Sequence, residues 1–325
     1  MKTYFLFKGL LLVGVCGLLA GCDKDNSGPC GCPELKLVPN ALEEYPTRSP
    51  RFGYARPYFN PENSREVIFF KRDEQDPGVA GIWKTNLDTK RQTQVLAGND
   101  IFLQLRWGPQ GWLALSKNHQ VWKVKSTGDS LTQLTYGVPH YQPQWSPDGQ
   151  RLVCWQDGPT AAAQGLVFLD RKGGARTAPA EPLKGYAEGW SSDGTKLLLQ
   201  HTADGVFGLG VYTFASNKVD LIVPVDIKAG HGGIHGAAWL PNGNGFVWSS
   251  DLGLFRTDLA SRRTVTLHTG CSGRIYIHPS ISSDGRTLIV ERVDRHAEDN
   301  GRAIYGETNL WTMDLDGNNQ RKVEF

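Results

Sequence analysis

Histidine side chains recur at matching places in the sequence and are the first candidates for chemistry. His140, His235 and His278 each lie three to five residues before a tryptophan or isoleucine that opens a turn. Neutral imidazole is a common metal ligand and can exchange a proton near neutral pH. The matching places elsewhere hold other polar or aromatic residues. Together they form the candidate set: Arg56, Gln104, His140, Tyr141, Tyr186, His231, His235 and His278.

The candidate set has three interpretations. It could bind a ligand or a peptide without catalysis, it could hold a divalent metal through its imidazoles, or it could consist of polar side chains that water solvates. His231 opens the stretch His231-Gly232-Gly233-Ile234-His235, where glycine allows the backbone to approach a ligand closely. We expect no resident cofactor, and a divalent metal at the histidines is the alternative.

Motifs for other reactions are absent from the sequence. It contains no Gly-x-Ser-x-Gly elbow, no His-Glu-x-x-His zinc motif, no Walker A loop and no Gly-x-Gly-x-x-Gly loop. Asp314 opens an Asp-Leu-Asp-Gly-Asn stretch, but an EF-hand calcium loop ends in a bidentate acid where this chain has Phe325. The sequence therefore predicts a hairpin turn there and assigns no catalytic residue.

A repeated turn organises the rest of the chain. Six anchor residues, spaced 38 to 49 residues apart, each precede a turn rich in Pro, Asp, Asn and Gly. Proline fixes φ, Asp or Asn bonds back to the backbone, and Gly adopts a positive φ without a clash. The anchors are Phe59, Trp107, Trp145, Trp190, Trp239 and Ile281. Because Asp148, Asp193 and Asp284 hold the same place in these turns, we interpret them as turn formers and not as catalytic carboxylates.

Short strands follow each turn. In the third unit they are an apolar strand at 152–155, a strand at 167–168 that carries an aromatic residue, and a weaker one at 176–179. With the strand that leads into the anchor, each unit has four. Four short strands cannot bury their faces alone, so the six units must stack on one another. No segment keeps a 3.6-residue period, and we expect almost no helix.

The repeat resembles the TolB-type, WD-repeat-like β-propeller repeat. The resemblance rests on Trp145-Ser146-Pro147-Asp148-Gly149, on the apolar strand after it and on the stretch from Leu310 to Gly317, and it extends over about residues 54–325. It implies an all-β fold, a six-bladed β-propeller with four-stranded antiparallel blades, used as a protein-binding platform. The N-terminal α/β domain of TolB has no counterpart between Cys22 and the first repeat.

The resemblance also gives the candidate set a location. The innermost strand of a propeller blade begins near the central channel, just before the anchor, which places the candidate set at the channel mouth. Since other units hold Arg, Gln or Tyr where the histidines stand, we expect His140, His235 and His278 to have no structural role. The first hypothesis is a non-catalytic binding platform for another protein or cell-envelope component. The alternative is a metal-dependent carbohydrate-active enzyme, because oligogalacturonate lyases are propellers with a histidine-rich metal centre in the channel.

The start of the chain resembles a bacterial lipoprotein signal. Lys2 and Lys8 precede an apolar run, Gly9–Ala20, which is too short to span a bilayer. The run ends in Leu19-Ala20-Gly21-Cys22, which resembles a lipobox with a lipidated cysteine. An ordinary secretory signal is the alternative. The predicted segments are a signal peptide (1–21), a tether and lead-in segment that begins with the lipidated Cys22 (22–53), and the propeller (54–325).

These predictions describe an exported lipoprotein that a lipid alone anchors to a membrane, facing the periplasm or the cell surface. Without Lys2 and Lys8 the chain has 33 basic and 33 acidic residues, so it lacks the basic excess of a nucleic-acid-binding protein. We expect a monomer. Export permits disulfides, and the sequence leaves the pairing of Cys30, Cys32, Cys154 and Cys271 open.

Two segments do not follow the repeat. The stretch between Val293 and Asn309 is rich in charge and contains Asp299-Asn300-Gly301, so we predict an exposed loop there. The last unit supplies four strands by itself, but Leu35–Val38 could add or replace an outer strand of the ring.

Overall fold

A computed structural model describes residues 52–325, apart from 74–75, 99–100, 175–176, 178, 180–182, 226–232, 272 and 298–303. The predicted signal peptide, Cys22 and the strand at 35–38 lie outside the described residues. Within them the first strand begins at Phe52, two residues before the predicted start of the repeats.

The described residues form short strands joined by tight turns. In chain order the strands are β1 (Phe52–Asn60), β2 (Asn63–Asp73), β3 (Gly81–Asn86), β4 (Gln92–Ala97), β5 (Ile101–Trp107), β6 (Trp112–Lys117), β7 (Gln120–Lys125), β8 (Thr132–Gln133), β9 (His140–Trp145), β10 (Arg151–Asp157), β11 (Gln164–Asp170), β12 (Gly185–Trp190), β13 (Lys196–Ala203), β14 (Val206–Thr213), β15 (Lys218–Pro224), β16 (Ile234–Trp239), β17 (Gly245–Ser250), β18 (Gly253–Asp258), β19 (Thr264–Thr269), β20 (Arg274–Ile281), β21 (Leu288–Ala297), β22 (Ile304–Met313) and β23 (Arg321–Lys322).

Helix is confined, in the described part of the chain, to three single 3-10 turns at Pro77–Val79, Pro109–Gly111 and Ala161–Ala163. The expectation of almost no helix is confirmed there. None of these turns approaches the length or apolar character that crossing a bilayer requires.

Consecutive strands pair as antiparallel meanders. Four meanders form separate sheets, β5–β8, β9–β11, β12–β15 and β16–β19. The first strands, β1–β4, and the last, β20–β23, share one eight-stranded sheet, joined by a parallel bridge between Gly53 and Thr308. The six predicted blades therefore do not appear as six sheets, because the first innermost strand also pairs with β22. The weak fourth strand predicted at 176–179 reduces to a single bridge between Phe168 and Thr177.

The innermost strands of the meanders follow one another around a closed ring. Each of β1, β5, β9, β12, β16 and β20 contacts the next, and β20 contacts β1. The core lies between adjacent sheets, where apolar strand residues interdigitate. Ile68 and Ile82 of the first meander, for example, pack with Leu113 and Leu115 of the second. The faces of each sheet are therefore buried by its neighbours, as the strand pattern predicts.

The repeated turns have the side-chain hydrogen bonds that their sequence predicts. Asp148 Oδ1 accepts from the Ser146 hydroxyl at 2.6 Å and from Gln150 N at 3.0 Å. Gly149, which follows, has φ 65°, a conformation that glycine adopts without a Cβ clash. Asp193 and Asp284 accept equivalent hydrogen bonds. The interpretation of these acids as turn formers is confirmed.

Removing one turn carboxylate is expected to cost a modest amount of stability. Asp193→Ala removes the hydrogen bonds from Ser191 and Thr195, and we expect the free energy of unfolding to fall by about 1 kcal/mol. The Ser191 hydroxyl, foremost, lowers the pKa of Asp193 to about 2. The stabilisation is therefore complete above about pH 4, the unfolded pKa, and lost as the pH falls toward 2. Urea unfolding at several pH values measures this, with Asp220→Ala, in an exposed ion pair with Arg262, as a control that should change less.

One segment of the last meander differs from its sequence prediction. The charged stretch after Val293 is not wholly a loop, since β21 and β22 pair from Leu288↔Met313 to Ala297↔Ile304. Asp294, in this stretch, pairs with two arginines outside it: Arg274 Nε lies 2.6 Å from Asp294 Oδ1, and Arg292 Nε lies 2.9 Å from Asp294 Oδ2. Charge density alone therefore misidentified a strand pair as a loop.

The structure describes two of the cysteines whose pairing the sequence leaves open, Cys154 and Cys271. Cys271 is disulfide-bonded, whereas Cys154 is a fully buried thiol, so these two do not form a disulfide with each other.

Asp314 caps the turn between β22 and β23, and its Oδ1 accepts from Asp316 N and Asn318 N at 3.1 and 2.8 Å. The predicted hairpin turn is confirmed.

Candidate functional site

The innermost strands are irregular at the same place. In β1 the register shifts between Ala55 and Tyr58, and the other innermost strands have similar shifts. In three of these strands the bulged residue has a positive φ and precedes a proline, namely Arg56 (51°), Gln142 (53°) and His278 (50°). Proline has no N–H to give to the ladder, so pairing is interrupted there and the bulge redirects the side chain.

These bulges surround a cavity of about 290 Å³ to which all six innermost strands contribute. We call it the channel cavity. The side chains that line it are those of Arg56, Arg106, Gln142, Pro143, Gln144, Tyr186, Ala187, Glu188, Gln200, Ile234, His235 and His278, together with Gly236. Since every innermost strand supplies at least one residue, the cavity lies on the axis of the ring.

Half of the candidate set lines the channel cavity. Arg56, Tyr186, His235 and His278 do so. The Gln104 side chain and all of His231 lie outside the described residues.

His140 and Tyr141 are located elsewhere. His140 is fully buried, with its Nδ1 2.7 Å from the Val138 carbonyl oxygen. The Tyr141 hydroxyl lies 2.7 Å from His119 Nδ1 at the surface. They begin β9 before its bulge, so they precede the segment that faces the axis. The expectation that His140 has no structural role is wrong, because its ring is part of the core.

Glu291 connects the first and last meanders beneath the channel cavity. It is buried, and its Oε2 accepts from the Arg56 backbone N at 2.9 Å and lies 2.8 Å from His278 Nδ1. Burial, foremost, and the Arg56 charge lower the pKa of His278, while the hydrogen bond to Glu291 opposes that effect. His278 is therefore also structural, which contradicts the sequence expectation for this residue.

Two guanidinium groups project into the cavity. Burial and the neighbouring Arg106 lower the pKa of Arg56 to about 10, so Arg56 remains charged at neutral pH. Its Nε is inaccessible to solvent and has no hydrogen-bond partner among the described residues. Arg106 donates from Nε to Gln144 Oε1 and from Nη1 to the Leu105 carbonyl, both at 2.9 Å, and its guanidinium lies 5.3 Å from the centre of the Tyr58 ring.

The carboxylate that lines the cavity is held by neutral donors. Glu188 is buried and accepts from Gln200 Nε2 at 2.7 Å and from Ala237 N at 3.1 Å. Glu291 likewise accepts from a backbone N–H and faces an imidazole. In the described part of the chain, neither Arg56 nor Arg106 forms an ion pair with either carboxylate.

The described histidines do not converge on one point. His235 Nε2 pairs with Asp251 Oδ1 at 2.8 Å, and His278 pairs with Glu291. No group of three or more His, Cys, Asp or Glu side chains with metal-binding geometry occurs among the described residues. The two pairs could each offer at most a partial ligand set.

Sequence reasoning missed Arg106, Gln144, Glu188 and Glu291, whereas Gln142 stands three residues before Trp145, within the spacing that the candidate set follows. A signal for two of them exists. Arg106 and Gln144 stand one residue before their anchors, and alternation along a strand places that position on the same face as the residue two earlier. Glu188 and Glu291 carry no such signal, because a bulge and a second strand bring them to the axis.

The stability of the protein is expected to decrease on mild acidification through His278. Its pKa in the folded state is below the ordinary value of about 6.5, so the unfolded chain binds the proton first. Stability is therefore complete above about pH 6.5 and falls as the pH drops through the folded pKa. In His278→Gln the loss between pH 7 and 5 should be smaller than in the wild type. Chemical unfolding at each pH measures this, and His201→Gln, which changes a less buried histidine, should keep the wild-type slope.

Comparison with known proteins identifies the architecture. No protein-family model matches the chain. It is 23% identical over 243 residues, 72% of this chain and 80% of the relative, to an uncharacterized protein of Agrobacterium fabrum. Among solved structures it is similar to a protein of Agrobacterium tumefaciens assigned as TolB, with a TM-score of 0.61, 19% identity and coverage of 74% of this chain and 86% of that one. The fold is an all-β β-propeller.

Other β-propellers of known structure are similar at lower scores. Oligogalacturonate lyase of Vibrio parahaemolyticus gives a TM-score of 0.53 at 13% identity, covering 83% of this chain and 78% of that one. TolB of Acinetobacter baumannii gives 0.51 at 14% identity, covering 83% and 67%. The predicted β-propeller is confirmed as a fold, and its antiparallel meanders are four-stranded except β9–β11, where a bridge takes the place of the fourth strand. At these identities the similarity carries no activity or partner to this chain.

Proposed function

We propose that this chain is a lipid-anchored propeller of the bacterial envelope that binds another protein or envelope component without catalysis. The observation that carries the proposal is the polar channel cavity on the axis of the ring. Arg56 and Arg106 line it without an ion pair to a described carboxylate, and the sequence contains none of the catalytic motifs considered above. The ring scaffold fixes these groups on strands, which suits a preorganised binding site.

The propeller has six blades in this proposal. The eight-stranded sheet then represents two blades, β1–β4 and β20–β23, at the point where the ring closes. Two observations support this division: one parallel bridge joins the two meanders, and the six innermost strands contact one another in cyclic order.

The binding surface is the end of the propeller at which the innermost strands begin, which we call the channel-mouth face. Because strands alternate in direction, the turns between second and third strands lie at this end, as the pairings Tyr141↔Trp155 and Ile234↔Ser250 indicate. Four large apolar side chains are exposed at this end: Tyr136, Tyr186, Val206 and Leu252. Exposed apolar groups around a polar centre are typical of a protein-docking surface.

Capture of a partner from native envelope tests this function. The full-length protein, extracted in mild detergent, should retain a partner that the double variant Tyr136→Ala/Tyr186→Ala loses. The matched control is Leu131→Ala, since Leu131 is an exposed apolar residue at the opposite end of its blade. Equal capture by all three proteins would contradict the proposed surface.

The lipid anchor is tested separately at Cys22. Cys22→Ala should abolish labelling by a fatty-acid probe and release the protein from the membrane fraction, because the thiol is the group that takes the lipid. A variant that stays with membrane at high salt would contradict the anchor. The similarity to TolB structures supports an envelope location without specifying which membrane or face.

A second candidate is a metal-dependent carbohydrate-active enzyme. The observation that favours it is the presence of His235 and His278 in the channel cavity of a propeller that resembles oligogalacturonate lyase. Metal analysis of the purified protein, followed by an assay on oligogalacturonate, distinguishes the two. Stoichiometric divalent metal together with cleavage would replace the binding platform by this enzyme.

A further inference from the structure

We propose that the channel cavity receives a carboxylate of a partner protein that docks on the channel-mouth face. The inference deepens the proposed binding function and depends on it. It assigns Arg56 and Arg106 as the groups that bind the carboxylate, whether this belongs to an acidic side chain or to a chain terminus.

The charge balance of the cavity is the first argument. Arg56 on β1 and Arg106 on β5 are close enough for the charge of Arg106 to lower the pKa of Arg56. The charges of Glu291 and Glu188 oppose this effect on Arg56, but Arg106 outweighs each of them. Neither carboxylate forms an ion pair with Arg56 or Arg106 among the described residues, since Glu188 and Glu291 are held by other donors. The two guanidinium groups repel each other, and an anion bound between them offsets that repulsion.

The available donors match a carboxylate. Arg56 lines the cavity, and its buried Nε has no hydrogen-bond partner among the described residues. The two hydrogen bonds of Arg106 to described residues use its Nε and Nη1, and a guanidinium has five N–H groups. A carboxylate has two oxygens that can each accept from a different guanidinium, which is the geometry of strong charge-assisted pairs.

The size of the cavity limits the ligand. A volume of about 290 Å³ lies at the lower end of the range of roughly 300–1,000 Å³ that is typical of small-ligand pockets. That space accommodates an acidic side chain or the last residues of a chain, and no folded domain. The remainder of a partner must therefore lie outside, on the channel-mouth face.

The surroundings favour a protein over a sugar acid. Tyr136 is 64% exposed and Tyr186 is 42% exposed, and Val206 and Leu252 are also exposed at this end. Protein interfaces are enriched in Tyr and Arg, and their strongest contacts are desolvated groups near the centre. A central arginine pair with a rim of aromatic and aliphatic groups fits that pattern, with the carboxylate as the central anchor.

Small probes test the chemistry on the wild-type full-length protein in mild detergent. The probes are acetyl-triglycine with a free carboxylate, the same peptide as its amide, and galacturonate. In NMR-detected titrations the acid should bind at least about tenfold more tightly than the amide, since a hydrogen bond to a charged group is stronger than one to a neutral group. Equal binding of acid and amide, or no binding of the acid, overturns the inference. Binding of galacturonate without the peptide acid overturns it in favour of a sugar acid.

Variants locate the site. Arg56→Gln and Arg106→Gln should each weaken the peptide acid by about tenfold or more, whereas Arg263→Gln should have no effect. Arg263 is exposed at the opposite end of its blade, so it matches the charge change without the site. Arg56→Lys keeps the charge and should retain part of the affinity if Arg56→Gln unfolds. Unchanged affinity in folded Arg56→Gln and Arg106→Gln overturns the assignment.

Capture from envelope separates this inference from the proposed function. If the Tyr136→Ala/Tyr186→Ala variant loses the partner but Arg56→Gln/Arg106→Gln keeps it, the docking face stands and the carboxylate site is wrong. If the arginine variant also loses the partner while the peptide acid binds the wild type, both are supported.

Discussion

Replacing Phe69 by Ala is expected to lower the free energy of unfolding by about 3–5 kcal/mol. Phe69 is fully buried in the cluster that joins the first and last meanders, together with Ile289 and Leu310. Its ring centre lies 4.9 Å from that of Phe325 and 5.6 Å from that of Tyr54. Truncation removes these contacts and leaves a cavity that the strands around it cannot collapse to fill.

Phe69→Ala should do more than remove a core side chain, because the Phe69 cluster lies where the first and last meanders meet. Phe246 is equally buried but packs among interior meanders, so Phe246→Ala is the matched control for the loss of a core phenylalanine. Both variants should lose comparable stability in chemical unfolding. Only Phe69→Ala should reduce hydrogen-exchange protection in β1 and β22, where the ring closes, by more than in the other strands. A loss below about 1 kcal/mol, or equal protection in both variants, would contradict a closure through this cluster.

The fold could be predicted from the sequence to a large extent because its turn chemistry is local. The hydrogen bonds of Asp148 and the positive φ of Gly149 depend on residues within a few positions, so the repeated pattern is sufficient to predict each turn. The sheet count could not be predicted this way. The bridge between Gly53 and Thr308 joins two segments that are far apart in the sequence, and no local sequence pattern predicts it.

The candidate site was less predictable because it depends on bulges. Arg56 and His278 face the axis at positions that the anchor spacing predicts. His140 begins β9 two residues before the bulge at Gln142, and there the strand directs its ring into the core. Equal spacing from an anchor therefore does not give equal orientation when the bulge lies between. The anchor spacing does not predict Glu291, because this residue belongs to the second strand of its meander and not to the innermost one.

The second large effect is expected at Glu291, the buried carboxylate that joins β1, β20 and β21. Glu291→Ala leaves the Arg56 backbone N without its acceptor and removes a negative charge that raises the pKa of Arg56. Breaking a buried charged contact by removing one partner is costly, and we expect a loss of about 3 kcal/mol in the free energy of unfolding. Glu291→Gln keeps an oxygen that can accept from Arg56 N, so its loss should be about half as large.

The titration of His278 separates a charge effect from a packing effect at Glu291. The hydrogen bond and the charge of Glu291 both raise the pKa of His278 against burial and against Arg56. In Glu291→Gln the imidazole should therefore titrate at a lower pH than in the wild type, as measured by NMR. Glu324→Gln changes an exposed carboxylate 3.7 Å from Lys90 and should alter neither the titration nor the stability appreciably. A His278 pKa that stays constant in Glu291→Gln would mean that Glu291 closes the ring only through the Arg56 backbone.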